Sequence, residues 1–364
     1  MNVLHICDYA SPVSGNFIAE LNAVDTALKN EGGKIIYALT DRNIKRKNHW
    51  VDELKKEHTV YIYDSNPFKN IKFFRKIIKE EKINIVHVHF TDMKTDMCIR
   101  LAAFVKNVKF IKHYRSGYGI WKRLKINIGK VVYKNWSFIC ITSAMADECK
   151  INFPLCKNNV ILNPIAFERL DRFEIIEKKD ITGSDNSILC FMVGYNYKLK
   201  GIDIAAEAVS KLRNRYNIYL AICVTTHLEE IQSALSEQFG GAVPEWIKLL
   251  PPREDIASYY RATDICLAPS RSEGACSAIV EEAYCGKVVV ASDCAGQFSY
   301  AKDMLDILWF ENKNSDELKD KIEKAISLKD NYSNAEENRK NAVKYYGLTH
   351  YTQQILQMYK DLSK

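Results

Sequence analysis

None of the 364 residues belongs to a run of the roughly 18 to 20 apolar positions that a membrane-spanning helix needs. The opening M-N-V-L-H-I-C-D-Y has neither a basic leader nor a long apolar stretch, which predicts a first strand and not a secretory signal. No cysteine pair has C-x-x-C spacing. The 11 cysteines are scattered, several inside apolar runs (Cys140, Cys190, Cys223), which predicts buried free thiols in a reducing compartment and no metal or redox centre. No G-x-G-x-x-G follows the first apolar run, which weighs against a dehydrogenase, and no short repeat or low-complexity tract is present. Acid is missing from one long stretch: between Asp96 and Asp147 stand ten Lys or Arg and no Asp or Glu. Residues 1–150 hold 26 basic and 15 acidic side chains, +11; the whole chain is +7, so the remainder is 7 − 11 = −4. An anionic partner on the first half is the expectation.

What is present is a rhythm. Short β-branched or apolar runs (V-L-H-I-C, K-I-I-Y-A-L, V-Y-I-Y, I-V-H-V-H-F, K-F-I-K-H-Y, F-I-C-I-T, V-I-L-N) alternate with helical stretches such as 17–30 and 69–81. This is the pattern of a doubly wound parallel α/β sheet. It restarts near 187 with S-I-L-C-F-M-V-G, I-Y-L-A-I-C-V, I-K-L-L-P, I-C-L-A-P-S and K-V-V-V-A-S. Length alone argues for two domains. The polar segment 168–186 reads as the linker, and 346–362 carries Tyr346, Tyr351, Ile355, Leu356 and Tyr359 at helical spacing, an amphipathic closing helix. Two sheets whose carboxyl ends border one cleft would bind a ligand there.

The stretch 264–292, D-I-C-L-A-P-S-R-S-E-G-A-C-S-A-I-V-E-E-A-Y-C-G-K-V-V-V-A-S, carries the most chemistry. A strand ends at Pro269, a loop holds Glu273, and a helix starting near Ser277 carries Glu281. Gly274 and the small Ala275 let backbone approach a ligand, and the free N–H groups of a helix start suit a phosphate. Two Glu eight positions apart arise by chance about once in a chain this long, and Glu281–Glu282 alone would be a solvated helix face. The strand–loop–helix frame is what gives the pair meaning.

That frame resembles retaining glycosyltransferase family 4, whose P-S-x-x-E-G-F-G is followed by an E-A-x-x-C-G helix and a P-V-V-A-S strand. Glu273, Gly274, Glu281, Cys285, Gly286, Ala291 and Ser292 fall in register, while Cys276 replaces a Gly and Val288 a Pro. A second block, F-M-V-G-Y-N-Y-K-L-K-G-I-D-I-A-A-E-A-V, is similar to the family's V-G-R-x4-K-G-x-D segment through Gly194, Lys200, Gly201, Asp203 and Ala208. The resemblance implies a GT-B fold, two Rossmann-like domains facing a central cleft, with a C-terminal helix returning to the N-terminal domain. The boundaries are then 1–167 (acceptor-binding), 168–345 (nucleotide-sugar-binding) and 346–364 (closing helix). It implies Glu273 on the donor sugar, Glu281 on the ribose, and Lys200 neutralising the diphosphate as it leaves. Tyr195 stands where the family has a phosphate-binding Arg, with Lys198 placed to compensate. Pro251 to Arg253 would read the base, and the helix start adds Ala275, Cys276 and Ser277 to the donor set. In the first half, Gly15 keeps the family's loop glycine and Asn16 replaces its neighbour; His113 takes the place of a His beside the donor sugar. Arg115 and Ser116 follow as acceptor-binding candidates, while His87, His89 and the Asn163–Pro164 turn are structural on this reading.

The implied reaction is retaining, metal-independent transfer from a nucleotide sugar, most simply a UDP-sugar, to a glycan or lipid-linked acceptor in bacterial surface polysaccharide, lipopolysaccharide or glycolipid assembly. No cofactor or metal is expected. Segment 119–138 has five basic residues, no acid, and aromatics at 121, 133, 136 and 138. As a helix it would lie on an anionic membrane with Trp and Tyr at headgroup level, or else be a solvated basic helix with buried aromatics. No motif supports nucleic-acid binding. The expected place is cytoplasmic, peripheral on the inner face of the cell membrane. Two other functions stay open: a nucleotide-sugar epimerase or hydrolase on the same fold, and a non-enzymatic basic module for membrane or nucleic acid.

Overall fold

The structure is a computed structural model and describes residues 1–9, 15–45, 48–104, 107–115 and 123–364. The chain forms two compact units, Met1–Pro164 with Leu348–Lys364, and Ile165–Gly347. Among the described residues the first unit has seven strands: β1 (Asn2–Cys7), β2 (Lys34–Thr40), β3 (Val60–Tyr63), β4 (Ile85–His89), β5 (Lys109–Tyr114), β6 (Ser137–Cys140) and β7 (Lys157–Val160). They lie in the order β3-β2-β1-β4-β5-β6-β7, every pair parallel. The second has β8 (Ile188–Gly194), β9 (Ile218–Val224), β10 (Ile247–Leu250), β11 (Ile265–Ala268), β12 (Val288–Ser292) and β13 (Leu308–Phe310), in the order β10-β9-β8-β11-β12-β13, also parallel throughout. Runs that are apolar at nearly every position, such as V-V-V-A-S in β12, suit strands covered on both faces. The α/β class and the two Rossmann-like domains expected from the sequence are therefore present. In each sheet the order reverses beside the first strand, between β1 and β4 and between β8 and β11. Crossings leave such a point in opposite directions and open a crevice at the carboxyl ends.

Three features differ from the sequence expectation. The chain passes between units at Pro164–Ile165 and Gly347–Leu348, not at 167/168 and 345/346. The polar segment 168–186 is no linker, because its charges are paired inside the second unit. Lys178 Nζ lies 3.1 Å from Asp264, Asp171 accepts hydrogen bonds from Tyr284 (2.8 Å) and Arg339 (3.0 Å), and Leu170 is buried. In the basic segment, Tyr133, Trp136 and Phe138 are fully buried, Trp136 stacking on Phe110 at 4.7 Å between ring centroids. Those aromatics are core, not interfacial anchors; residues 119–122 lie outside the described residues.

The closing helix Leu348–Ser363 packs within the first unit, where Tyr351, Ile355, Leu356 and Tyr359 join the core formed by β1, β2 and the Gly15–Asn30 helix. The attachment is polar at its centre. His5 on β1 pairs in register with His87 on β4, and His89 with His113 on β5. The four rings are buried on the face that the closing helix covers. Tyr359 Oη bridges His5 Nε2 (2.9 Å) and His87 Nδ1 (2.8 Å), and His89 Nε2 meets His5 Nδ1 at 3.0 Å. On the opposite face Asp96 is paired with Lys112 at 2.8 Å and accepts a hydrogen bond from Tyr133 at 2.8 Å.

Burial first, then the Arg115 charge and the neighbouring rings, hold all four imidazoles below their ordinary 6.5, His5 at about 3. A group with a depressed folded pKa takes up protons more readily when unfolded. Its stabilising contribution is therefore complete above about 6.5 and is lost as pH falls toward the folded values. The melting temperature of the protein is expected to fall steadily from about pH 6.5 to about pH 5, and Tyr359→Phe to cost about 1–3 kcal/mol in urea titrations by stranding two ring nitrogens. A flat pH profile, or a neutral Tyr359→Phe, contradicts a neutral cluster that anchors the closing helix.

Candidate functional site

The reversal between β8 and β11 places two loops side by side. β8 ends at Gly194, where a Cβ would press on Ile202 at 2.8 Å, and the loop runs through Tyr195, Lys198 and Lys200 to Gly201. Gly201 has φ +67°, and a Cβ there would lie 1.9 Å from the carbonyl oxygen of Pro269. Only glycine allows the β8 loop to touch the backbone leaving β11. On the far side Gly296 backs the β11 loop, where a Cβ would fall 1.8 Å from the Glu273 carbonyl oxygen. The two glycines hold the Pro269–Ser277 loop from both sides.

Between these loops Lys200 Nζ donates to Glu273 Oε1 at 2.5 Å, and Ser270 Oγ donates to the same oxygen at 2.9 Å. Burial works against the lysine's charge, yet the Glu273 carboxylate, close by and hydrogen-bonded to it, holds its ammonium above the ordinary range. Lys200 also sits 4.9 Å from the ring centre of Tyr195, which is 39% exposed. The pair borders a cavity of about 190 Å³ lined by Ser270, Ala275, Cys276, Ser277, Ala278 and Glu282 among others. The Ser277–Tyr284 helix opens there with no side-chain cap on its first turn, so its free N–H groups and partial positive charge favour an anion. A half-buried ammonium, a carboxylate and uncapped helical N–H groups around one cavity can hold a diphosphate and a hydroxylated group beside it.

The expected donor residues divide. Gly274, Ala275, Cys276 and Ser277 form the loop and helix start, with Gly194, Tyr195 and Lys200 opposite. Glu281 is not among the residues lining this cavity. It is buried, ion-paired with Arg169, and accepts from Tyr260 Oη at 3.2 Å. Lys198 lies 2.7 Å from Asp203, which Arg271 also grips with two bonds of 2.7 and 2.8 Å. Arg253 is held by Asp255 at 2.7 Å and Glu174 at 2.5 Å, and the Pro251 carbonyl accepts from Tyr259 Oη at 3.1 Å.

In the first unit His113 is buried in the histidine cluster, its Nδ1 3.2 Å from the Arg115 guanidinium. Arg115 is itself ion-paired with buried Glu20, donates to Asn163 at 2.8 Å and lies over Phe17 and Phe90. Gly15, at φ +52°, starts its helix and Asn16 is half-buried beside it. Ser116 and residues 10–14 lie outside the described residues. Ligand atoms of His5, His87 and His89, and of Glu20, His89 and His113, gather within 4.8 Å.

Sequence reasoning passed over Arg169, Ser270, Arg271, Glu282 and Gly296. Arg169 stands in the segment read as a linker, and Glu282 carries no role in the motif beside Glu281, although both carboxylates prove buried. Arg271 has a signal, since it lies in the P-S-R-S-E-G loop two residues before Glu273.

Residues 172–342 match the family model for glycosyl transferases of group 1. Among curated proteins, the chain is 26% identical to an N,N'-diacetylbacillosaminyl-diphospho-undecaprenol alpha-1,3-N-acetylgalactosaminyltransferase of Campylobacter jejuni, over 71% of this chain and 72% of that one. It is 26% identical to a UDP-Gal:alpha-D-GlcNAc-diphosphoundecaprenol alpha-1,3-galactosyltransferase of Escherichia coli, over 65% of each. The crystal structure of a glycosyltransferase from Rickettsia africae superposes with a TM-score of 0.83 at 20% identity, covering 100% of this chain and 98% of that one.

Proposed function

We propose that this chain, whose residues 172–342 match the family model for glycosyl transferases of group 1, moves a sugar from a nucleotide donor to an acceptor hydroxyl with retention of configuration and without a metal. The observation that carries this reading is the Lys200–Glu273 pair on the cavity wall, at the carboxyl ends of β8 and β11. A diphosphate at the start of the Ser277–Tyr284 helix draws the Lys200 ammonium to itself and frees the Glu273 carboxylate to accept hydrogen bonds from the sugar. As the bond from the anomeric carbon to the diphosphate breaks, charge grows on the leaving oxygen. Lys200 and the helical N–H groups neutralise it, the part a divalent cation plays elsewhere. The acceptor hydroxyl attacks from the face the diphosphate leaves and passes its proton to the departing phosphate. The Pro251–Arg253 backbone and Glu281 are the proposed contacts to base and ribose; Gly15, Asn16, His113, Arg115 and Ser116 remain proposed contacts of the first unit.

Uridine as the base and a lipid-linked acceptor are supported by the relatives' names, which specify UDP-Gal in one case and diphosphoundecaprenol acceptors in both. Assembly of a bacterial surface glycan on the inner face of the membrane is the setting we infer. Among the described residues no helix is long and apolar enough to cross a membrane. Peripheral contact through the Arg123–Val132 helix instead draws support from exposed Ile128 and Val131 (70% exposed), which stand among exposed Lys125, Lys130 and Lys134.

Purified protein given UDP-sugars and a lipid-diphosphate acceptor is expected to form a product whose anomeric configuration by NMR equals the donor's, with a rate unchanged by EDTA. Lys200→Ala and Glu273→Ala are each expected to lower kcat at least about 100-fold with an unaltered circular dichroism spectrum. Near-normal turnover by either variant sinks the site. Donor converted to an isomer or to free sugar, with no transferred product, favours the epimerase or hydrolase reading. In vesicle sedimentation, Lys125→Glu with Lys130→Glu is expected to weaken binding to anionic lipid by about fivefold or more per lysine, each lysine contributing about 1 kcal/mol. Unchanged sedimentation removes the membrane contact.

A further inference from the structure

The cavity beside Lys200 has a floor that the donor reading leaves unused. Glu282 lies on the second turn of the Ser277–Tyr284 helix, is only 1% exposed, and lines the cavity together with Lys200 and Glu273. Ala278 stands one turn before it on the same helical face, and its single methyl leaves space for the longer chain. Long helical side chains lean toward the N-terminus, which here is the cavity end. Glu282 Oε2 is buried and has no hydrogen-bond partner within the protein. Stranding such an oxygen is costly, and the cost is relieved when a ligand supplies the partner.

The groups around it are Lys200, Glu273 and Cys276 in the loops, Cys266 on β11, Tyr260 from the Ala257–Ala262 helix, and Glu281 beside it. Of these only Lys200 is a cation, and it is already shared with Glu273. Burial, then Glu281, push the Glu282 carboxyl well above the ordinary carboxylate range against the pull of Lys200. That bias toward the uncharged form gives the carboxyl an O–H to donate. The ammonium, the helical N–H groups and this O–H are then all donors around one small space, which is what an anion's oxygens require.

Resting on the nucleotide-donor reading, we propose that Glu282 is a further donor-binding residue, its carboxyl O–H hydrogen-bonding a phosphate oxygen of the diphosphate from beneath the first turn of the Ser277–Tyr284 helix. No proton is transferred; the acid keeps it, and the bound diphosphate strengthens its hold. Once Glu282 loses that proton the same carboxyl repels the diphosphate, so donor affinity falls as pH rises through the raised pKa.

The test is calorimetric titration of UDP, GDP and ADP into the full chain, the Glu282→Gln variant and the Glu282→Ala variant. The titrations run upward from about pH 7.5, above the terminal phosphate ionisation near 6. Thermal melts without ligand establish that each variant is folded. The wild type is expected to bind one of these diphosphates, more weakly toward the alkaline end. Glu282→Gln, whose amide N–H replaces the donor and does not titrate, keeps the neutral-pH affinity within about threefold and loses most of the alkaline decline. Glu282→Ala loses about tenfold or more, the size of a hydrogen bond to a charged group. A Glu282→Ala variant that binds as tightly as the wild type, or a Glu282→Gln variant with the wild-type alkaline decline, overturns the assignment while leaving the donor site standing. Failure of all three diphosphates to bind the wild type overturns the donor reading itself.

Discussion

A lysine and a glutamate placed on a half-buried wall are each costly to charge alone, and Lys200 and Glu273 are sustained there as a pair. Their meeting depends on the order of the second sheet. β8 and β11 are neighbours although two strands separate them in sequence, so the loop after each comes to the same carboxyl edge. Gly201 then lets the β8 loop rest on the Pro269 carbonyl, and Gly296 backs Glu273 from the other side. A methyl at either place would push one partner away from the other. The cavity, the uncapped helix start and the proposed diphosphate contact all follow from that arrangement.

The pair is also poised. Lys200 is held with its charge, and Glu273 shares its hydrogen bonds with Ser270, so an arriving anion exchanges one partner for another and does not have to create a charge. Glu282 beneath them differs in kind: a carboxyl with a stranded oxygen and no cation of its own. Two carboxyl groups of one cavity thus sit in opposite settings, one ion-paired with Lys200 and the other unpaired and pushed toward neutrality, and that difference separates the roles proposed for them.

Much of the fold was legible because parallel strands buried on both faces are written as unbroken apolar runs; β9, I-Y-L-A-I-C-V, is observed over the same residues as its run. β13 was missed because three residues carry too little pattern, and β7 lies at Lys157–Val160, ahead of the V-I-L-N run read as a strand. The 168–186 segment was misread because composition cannot tell a solvated charge from one paired far along the chain, as Asp171 is with Tyr284 and Arg339, 113 and 168 positions away. The same blindness hid Glu282 and Arg169. The motif placed Lys200 and Glu273 on facing loops, whereas spacing alone gave no sign that Glu281 turns to Arg169 and Tyr260. In the first unit, I-V-H-V-H shows alternation, but only strand register reveals that its two imidazoles join His5 and His113 under Tyr359.

The most direct measurement is a crystal structure of the protein with a nucleoside diphosphate bound. The account predicts a phosphate oxygen within about 2.7–2.9 Å of Lys200 Nζ, at the start of the Ser277–Tyr284 helix, with Glu273 released toward the sugar side. A diphosphate seated elsewhere, with Lys200 still 2.5 Å from Glu273, would contradict it.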